Sequence, residues 1–279
     1  MVQKSKIISE PLLTVLMPAY NAAEYIAESI ESILTQTFKD FHFIILNDAS
    51  TDNTLEIIEK YKKKDARIKV LNNSSNKYIA NCRNILIENT KTEFIAWQDA
   101  DDVSVPNRLE LQINYLKKNP EVGIVGGYIE FFDMKGNKSI RKYKEHDLSI
   151  RKNIFKYSPV AQPVAMIRRE CFDLLGLYNL KYPPAEDIDM SFRIGTKYKF
   201  ANIQNVLLKY RETLTSATFN KLRKMELSTL EVRSKYIFNS VYSWSLSDVL
   251  YNVIQLVAVF IIPAKLKIRL FKKFRNEKN

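Results

Sequence analysis

No glycine precedes Gly123, and all six glycines of the 279-residue chain lie between Gly123 and Gly195. A dinucleotide-binding G-x-G-x-x-G loop and a P-loop both need glycines directly after a first strand, because the backbone there approaches a phosphate closely. The chain therefore contains neither motif. Any phosphate that it binds at the end of its first strand must be held by a metal ion and side chains.

Cysteine and histidine are scarce as well. Cys82 and Cys171 are too few for a disulfide framework, and their spacing matches no zinc motif. Their apolar neighbours predict buried, reduced thiols. The only histidines are His42 and His146, which leaves almost no basis for a His-rich zinc site.

Long apolar runs are also missing. The N-terminal MVQKSKIISEPLL lacks the apolar core and the small-residue cleavage site of a secretory signal, so we expect a cytoplasmic protein. The segment VLYNVIQLVAVFII, residues 249–262, ends at Pro263. It is shorter than the roughly twenty apolar residues of a membrane-spanning helix, so we expect no transmembrane segment.

The formal charge of +12 is concentrated at the C-terminus. Residues 264–279 contain seven Lys or Arg and one Glu, which is half of the total excess. Within them KLKIRLFKKFR alternates basic and bulky apolar residues, a pattern typical of an interfacial helix attracted to anionic lipid. We therefore expect a peripheral protein on the inner face of the cytoplasmic membrane. The alternative is a helix packed on the domain or on a second subunit, which would make an oligomer.

The first half of the chain alternates strand and helix patterns. Short apolar runs followed by about 10 to 15 residues of helical periodicity predict βαβ units and a mostly parallel sheet with right-handed crossovers. The fold class is therefore α/β and Rossmann-like. The predicted strands are residues 13–18, 41–48, 67–73 and 93–99. The helices between and after them carry apolar stripes at Ile26, Ile30, Ile33, Leu34, Leu55, Ile58, Tyr61, Leu109, Ile113 and Leu116.

The second half is predicted to be an α+β continuation without a linker or a repeat. VGIVGGYIEFFD is typical of a strand, SPVAQPVAMIRRECFDLL of a strand leading into a helix, and AEDIDMSFRIGTKY of a further helix. KYKFANIQNVLLKYRETLT contains short strand patterns. From about residue 219 the chain becomes helical. We expect one domain over residues 1–218 and a helical C-terminal extension over residues 219–279.

Polar segments follow all four predicted parallel strands: PAYNAAE, NDASTDN, NNSSNK and QDADD. Ligands of open α/β sheets bind beyond these carboxyl ends. The last segment places Asp99, Asp101 and Asp102 together with no basic residue between them. Asp-x-Asp offers the hard oxygens that suit Mg²⁺ or Mn²⁺. The alternative is an acidic surface turn, with Asp102 or Ser104 helping to start a helix at Pro106.

Three long segments, in order and spacing, resemble family 2 glycosyltransferases with the GT-A fold: VLMPAYNAAEYIAESIESILTQTF, FIILNDASTDNT and FIAWQDADDVSVPNRLE. The resemblance covers roughly residues 12–212. It implies an inverting transferase that uses a UDP-sugar, with dTDP as an alternative nucleotide, and a Mn²⁺ or Mg²⁺ ion. It also implies a glycan acceptor in bacterial surface polysaccharide synthesis, such as O-antigen or capsule. The basic tail would suit an acceptor linked to a polyprenyl diphosphate.

The resemblance assigns the end of the first strand to the nucleotide. Pro18, Ala19, Tyr20 and Asn21 would line the uridine pocket, with Glu24 nearby. An exposed aromatic residue in PAYN suits stacking on a base, although Tyr20 could simply end a strand. Glu24 has a simpler alternative, because an acid in the first turn of a helix is stabilised by the helix dipole.

Three further segments receive roles by the same resemblance. Asp48 would bind the uracil edge, and Arg83 in ANCRNILI would lie close to the nucleotide. Asp99 would face the ribose while Asp101 holds the metal ion on the diphosphate, so Asp99 and Asp101 are the candidate metal ligands. The alternatives are an Asx-turn for Asp48 and a surface ion pair for Arg83.

PPAEDIDMSFRI, residues 183–194, contains the Glu-Asp signature of the family. By the resemblance Glu186 belongs to the donor site and Asp187 is the catalytic base. An inverting transfer needs one base for the acceptor hydroxyl and charge stabilisation for the leaving group. The alternative makes Glu186 and Asp187 the acidic start of a helix, with Arg193 as a later ion-pair partner.

The chain departs from the family pattern in two places. Many relatives carry Tyr-Arg-x-His near the end of the domain, whereas this chain has Tyr210, Arg211, Glu212 and Thr213. Thr213 therefore replaces a histidine that reaches towards the metal ion or the diphosphate. The Gln-x-x-Arg-Trp motif of processive synthases is also missing, which favours transfer of one sugar per event.

Two other functions compete with this hypothesis. A nucleotidyltransferase also pairs carboxylates with a metal ion, but it would need a basic, usually glycine-rich loop where the chain has PAYNAAE. A nucleic-acid-binding protein would explain the net charge. That alternative is weak, because the basic excess is in the tail and acidic clusters fill the predicted cleft. We expect no nucleic-acid partner.

Overall fold

The structure is a computed structural model that describes residues 10–133, 135–212, 217–275 and 277–278. Its strands are β1 (Leu13–Ala19), β2 (Phe41–Asn47), β3 (Ile68–Asn72), β4 (Phe94–Trp97), β5 (Val103–Ser104), β6 (Val122–Phe132), β7 (Lys138–Arg141), β8 (Met166–Arg168), β9 (Lys199–Arg211) and β10 (Glu277–Lys278). Its helices are α1 (Ile26–Leu34), α2 (Thr54–Lys62), α3 (Tyr78–Glu88), α4 (Arg108–Lys118), α5 (Asp147–Arg151), α6 (Arg169–Leu175), α7 (Glu186–Gly195), α8 (Ala217–Tyr236), α9 (Leu246–Ile261) and α10 (Ala264–Arg275). A 3₁₀ turn covers Gln162–Val164.

One sheet organises these elements. Its parallel part has the order β3-β2-β1-β4, in which each strand is joined to the next in sequence through a helix. Beyond β4 the order continues β8-β6-β7-β10, where the pairs are antiparallel, while β9 runs parallel to β6. Helices flank the sheet. The predicted α/β class and the Rossmann-like parallel half are confirmed.

Two apolar cores fill the two faces of the parallel strands. Successive side chains of a strand point to opposite faces. Val15 and Met17 therefore pack with α1, α2 and α4, whereas Leu16 packs with α3 and α7. Because both faces are covered, β1 is buried along its whole length, which explains its continuous apolar run.

The prediction of short strands after residue 199 was wrong in length. β9 is one strand of 13 residues that pairs with β6 and, near its end, with β5. Its pairing with β6 changes register on both sides of Tyr128. Polar residues such as Gln204 and Asn205 break the apolar pattern at that level, which made one bulged strand resemble several short ones.

The helical region at the C-terminus packs on the sheet domain. Tyr236 and Tyr242 share the larger apolar core with Phe192 of α7, and the Tyr242 hydroxyl donates a hydrogen bond to the Phe192 carbonyl oxygen at 2.5 Å. A Cβ at Gly195 would overlap that same hydroxyl, so glycine allows the close approach. None of the described helices is both long and apolar enough to cross a membrane.

Candidate active site

The carboxyl ends of β1 and β2 form one connected edge. Pro18 and Ala19 are buried as the last residues of β1, whereas the Tyr20 side chain is 50% exposed. Asn21 has a positive φ of 48°. Its side chain accepts a hydrogen bond from the Thr51 backbone at 2.8 Å, which ties the loop after β1 to the loop after β2.

Asp48 directly follows β2 and is held by hydrogen bonds at this edge. Its Oδ1 accepts hydrogen bonds from Asn73 Nδ2 at 2.7 Å and from the Lys77 backbone at 2.8 Å, and its Oδ2 accepts one from the Tyr78 backbone at 3.1 Å. These donors lie in the segment that leads into α3, so the Asx-turn alternative is wrong for Asp48. Asn47 makes the local turn contact instead. Asp48 itself is buried, with 3% of its surface exposed.

The QDADD loop after β4 is held by its backbone. Ser29 of α1 donates to the Asp99 carbonyl oxygen at 2.9 Å, and Gln98 donates to the Asp102 carbonyl oxygen at 2.8 Å. No described residue donates a hydrogen bond to the Asp99 carboxylate. The loop backbone is therefore fixed while the Asp99 carboxylate is left to other partners.

The three carboxylates of that loop have different environments. Burial raises the pKa of Asp99. Burial, followed by the charge of Asp99, raises the pKa of Asp101 to about 6. Asp102 is fully buried, and its Oδ1 accepts a hydrogen bond from the Arg211 backbone at 3.0 Å. Asp102 thus fastens the loop to the end of β9, whereas Asp99 and Asp101 are partly exposed.

Arg211 completes this fastening. Its Nε donates to the Asp101 carbonyl oxygen at 3.0 Å, and its guanidinium pairs with Glu28 of α1. The guanidinium also lies 4.7 Å from the centroid of the Tyr25 ring. Glu24 is exposed next to Tyr25. It raises the pKa of Tyr25 by accepting a hydrogen bond from the phenol. Thr213 lies outside the described residues.

Arg83 and Glu186 form a buried ion pair between elements that are distant in sequence. Arg83 Nη1 lies 2.6 Å from Glu186 Oε1, and both residues are nearly inaccessible to solvent. The Arg83 guanidinium lies beside the contacting rings of Trp97 and Tyr178, at 5.6 and 5.7 Å from their centroids. Arg83 therefore does form an ion pair, but the pair is buried and not on the surface as the alternative predicted. The pair joins α3 to the first residue of α7.

Asp187 is the second residue of α7 and is partly exposed. Burial, followed by the neighbouring Glu186 charge, raises its pKa to about 6. The charge of Arg83 opposes this shift, and the same guanidinium acts on Asp99. The structure therefore brings Arg83, Glu186, Asp187 and Asp99 into one electrostatic cluster. Asp189, one turn along, pairs with Arg193 at 2.9 Å and serves the packing of α7.

Among the described residues, no group of three or more His, Cys, Asp or Glu side chains is arranged to hold a metal ion. Asp99 and Asp101 supply two carboxylates. That number fits Mg²⁺ or Mn²⁺, which commonly take one or two protein carboxylates and complete their shell with substrate phosphates and water. Mutual repulsion between these carboxylates also favours a cation beside them.

The sequence interpretation missed the polar network under the site. Arg108 is fully buried and donates to the Trp97 carbonyl oxygen at 2.6 Å and to Gln98 at 3.0 Å. Burial lowers its pKa to about 9. Its Nε donates to Gln112, four residues along α4, at 3.1 Å. The available signal was the pair of polar residues at helical spacing beside the apolar stripe of α4.

Sequence comparison gives the family of the chain. Residues 14–176 match Glycosyl transferase family 2. A glycosyltransferase of Methanocaldococcus jannaschii, MJ1057, is 34% identical over 94% of this chain and 95% of its own length. The chain belongs to glycosyltransferase family 2 and is a glycosyltransferase.

Solved structures support the fold. S. aureus TarS in complex with UDP has a TM-score of 0.66 at 18% identity, over 91% of this chain and 73% of that one. The mannosyltransferase PcManGT from Pyrobaculum calidifontis, in complex with GDP-Man and Mn²⁺, has a TM-score of 0.64 at 16% identity, over 91% and 71%. Both structures have the GT-A fold, and their similarity to this chain confirms the predicted GT-A fold. One was solved with a nucleotide and the other with a sugar nucleotide.

Proposed function

We propose that the protein moves a single sugar from a UDP-sugar to a hydroxyl of a lipid-linked glycan, with inversion and with Asp187 as the general base. The product would belong to a surface polysaccharide such as O-antigen or capsule. The catalytic domain would cover residues 1–218, and residues 219–279 would form a helical extension.

The observation that carries this proposal is the buried Arg83–Glu186 ion pair. It fixes the start of α7, and with it Asp187, within electrostatic range of Arg83, which also acts on Asp99 at the end of β4. A base on α7 and carboxylates on the β4 loop therefore belong to one site. Such an arrangement serves a reaction in which a proton is removed on one side while negative charge departs on the other.

Asp187 has the properties that a general base needs. Its pKa of about 6 leaves it ionised at neutral pH while keeping it basic enough to accept a proton. In the transfer, the acceptor oxygen attacks the anomeric carbon, the bond to the diphosphate oxygen breaks, and Asp187 takes the hydroxyl proton. No covalent enzyme intermediate is required.

Asp99 and Asp101 would hold the divalent cation. A bound Mn²⁺ or Mg²⁺ ion would stabilise the charge of the departing diphosphate. The chain supports this role because Gln98, Ser29 and Arg211 hold the loop by its backbone and leave the Asp99 carboxylate without a protein hydrogen bond among the described residues. The Mn²⁺ ion in the structure of PcManGT, which is similar to this chain, supports the proposal of such a site.

The uridine would lie along the ends of β1 and β2. The exposed Tyr20 ring offers a stacking surface beside Asn21, and the Asp48 carboxylate would accept the uracil N–H. Pro18 and Ala19 would form the floor, with Glu24 at the rim. Arg83 and Glu186 would lie beneath the sugar diphosphate rather than contact the base.

The C-terminal helices would bind the inner membrane surface, which suits an acceptor carried on a polyprenyl diphosphate. Side chains on one side of α9 expose a large apolar surface, formed by Leu250, Val253, Ile254, Val257, Phe260 and Ile261. The basic sequence of α10 follows directly. Apolar burial and attraction to anionic lipid act together in such interfacial helices.

Calorimetric titration of UDP into the purified protein, with Mn²⁺ and then with EDTA, tests the donor site. We expect binding that requires the metal ion and is lost in Asp101→Asn. Glu56→Gln, which neutralises an exposed carboxylate on α2, serves as the control and should bind normally. UDP binding that is unchanged by EDTA and by Asp101→Asn would contradict the proposed metal site. No UDP binding by folded protein would contradict the donor.

A further inference from the structure

We propose that a basic cleft on α8 binds the diphosphate of the lipid-linked acceptor. This inference rests on the proposed function, because it names the part of the acceptor that α8 would hold. The cleft is shallow and open to solvent, has a volume of about 460 Å³ and is lined by Lys221, Arg223, Lys224, Leu227, Ser228 and Glu231, all on α8.

The charge of the cleft suits an anion. Lys221, Arg223 and Lys224 are exposed, and no described carboxylate forms an ion pair with them. The only acid in the lining, Glu231, is paired with Lys181 at 2.5 Å. The three basic side chains can therefore donate hydrogen bonds to an anion. A diphosphate accepts several charge-assisted hydrogen bonds at once.

One end of the cleft meets the donor site. The Lys221 ammonium lies 5.4 Å from the centroid of the Tyr78 ring, and the Tyr78 backbone donates to Asp48 at 3.1 Å. Further along, Lys235 of α8 lies 3.6 Å from Asp189 on the helix that carries Asp187. A phosphate bound at Lys221 would thus be close to the donor pocket, and a later turn of α8 contacts the helix that carries the proposed base.

The other end meets the apolar surface of α9. The Arg223 guanidinium lies 4.9 Å from the centroid of the exposed Phe260 ring, and Leu227 in the cleft is also exposed. Basic and apolar surfaces are therefore continuous from Lys221 to Phe260. A molecule with a diphosphate at one end and a hydrocarbon chain at the other matches this sequence of surfaces, whereas a free glycan or a soluble nucleotide does not use the apolar end.

Calorimetry with farnesyl diphosphate as the probe tests the cleft. The full-length protein is first saturated with UDP and Mn²⁺, so that the donor site is blocked. We compare wild type, the double variant Arg223→Gln/Lys224→Gln, and the control Lys117→Gln/Lys118→Gln, which removes the same charge from exposed positions on α4. Inorganic diphosphate and farnesol are titrated separately, because each carries one half of the probe.

We expect the cleft variant to bind farnesyl diphosphate about tenfold more weakly than wild type, since each lost charged hydrogen bond contributes to affinity. The control should bind as wild type does, and each half-probe should bind more weakly than the whole. Equal affinity in the cleft variant, or an equal loss in the control, would overturn the proposal.

Vesicles of phosphatidylcholine with phosphatidylglycerol separate the cleft from general attraction to anionic lipid. We expect the cleft variant to keep most of its vesicle binding, because the basic tail is intact. A loss on vesicles as large as the loss for farnesyl diphosphate would overturn the assignment to the acceptor. Failure of UDP to bind is read in the separate UDP titration, so a failure of the donor site can be distinguished from a failure of the cleft.

Discussion

Arg83 is a charged residue in a place where charge is costly. It is buried with Glu186 next to two aromatic rings, and no described residue pairs with Arg83 Nε or Glu186 Oε2. Breaking a buried pair by removing one partner leaves an uncompensated charge, which commonly costs about 3 to 5 kcal/mol.

We therefore expect Arg83→Met to lower the free energy of unfolding by about 3 kcal/mol, measured by urea denaturation. The double variant Arg83→Met/Glu186→Gln should recover part of that loss, since it removes both charges. Both variants should lose transfer activity, because the start of α7 is no longer fixed. A single variant as stable as wild type would show that the pair contributes nothing to the fold.

Asp187 gives a prediction for pH. As a base it works only when ionised, and its pKa is raised to about 6 by burial and by Glu186. The kcat/KM for the acceptor, measured at saturating donor, should therefore fall as the pH drops through about 6 and level off above it. Asp187→Asn should lower kcat by about 10² to 10⁴-fold and leave UDP binding unchanged. Retained activity in that variant would exclude Asp187 as the base.

Asp102 separates a structural carboxylate from the two proposed metal ligands. Its Oδ1 accepts the Arg211 backbone hydrogen bond at 3.0 Å, and an asparagine oxygen could accept the same bond. We expect Asp102→Asn to keep both Mn²⁺-dependent UDP binding and transfer, in contrast to Asp101→Asn. Calorimetry on the two variants side by side measures this. Equal loss in both would mean that all three carboxylates serve the ligand.

At the scale of elements, the parallel half of the sheet could be predicted from the sequence. β2, β3 and β4 lie within the predicted runs and β1 extends one residue beyond its run, because strands covered on both faces need continuous apolar sequence. The bulged β9 could not be predicted, since its register depends on β6, which lies almost seventy residues earlier in the chain.

The places of the candidate residues at the strand ends could be predicted from the sequence, but their contacts could not. Sequence patterns placed polar residues at the strand ends, and the fold gathers them at one edge. The partners of Asp48 and Arg83 could not be inferred, because they come from α3 and α7, whose packing depends on the whole core. The Arg108 network was missed for the same reason, since a buried cation is recognisable only by the carbonyl oxygens around it.

At the scale of the whole molecule, acidic and basic residues are concentrated in different regions. Carboxylates gather at the sheet edge, while basic residues lie on α8 and in the sequence of α10. The exposed apolar surface of α9 lies next to α8, where Phe260 contacts Arg223. The proposed membrane binding would therefore use the apolar surface of α9 together with the basic sequence of α10.

Vesicle sedimentation tests that layout. Ile254→Glu places a charge within the apolar surface of α9, whereas Leu174→Glu changes an equally exposed apolar residue on α6. Burying a large aliphatic side chain contributes about 1.5 to 3 kcal/mol, so Ile254→Glu should lower partitioning onto vesicles with phosphatidylglycerol by about tenfold or more. Leu174→Glu should leave it unchanged. Wild-type binding should also weaken with added salt, because screening reduces the attraction of the basic tail. Binding that ignores both Ile254→Glu and salt would mean that α9 is covered by protein, and a second copy of the chain would then be the occupant to examine by measuring the oligomeric state.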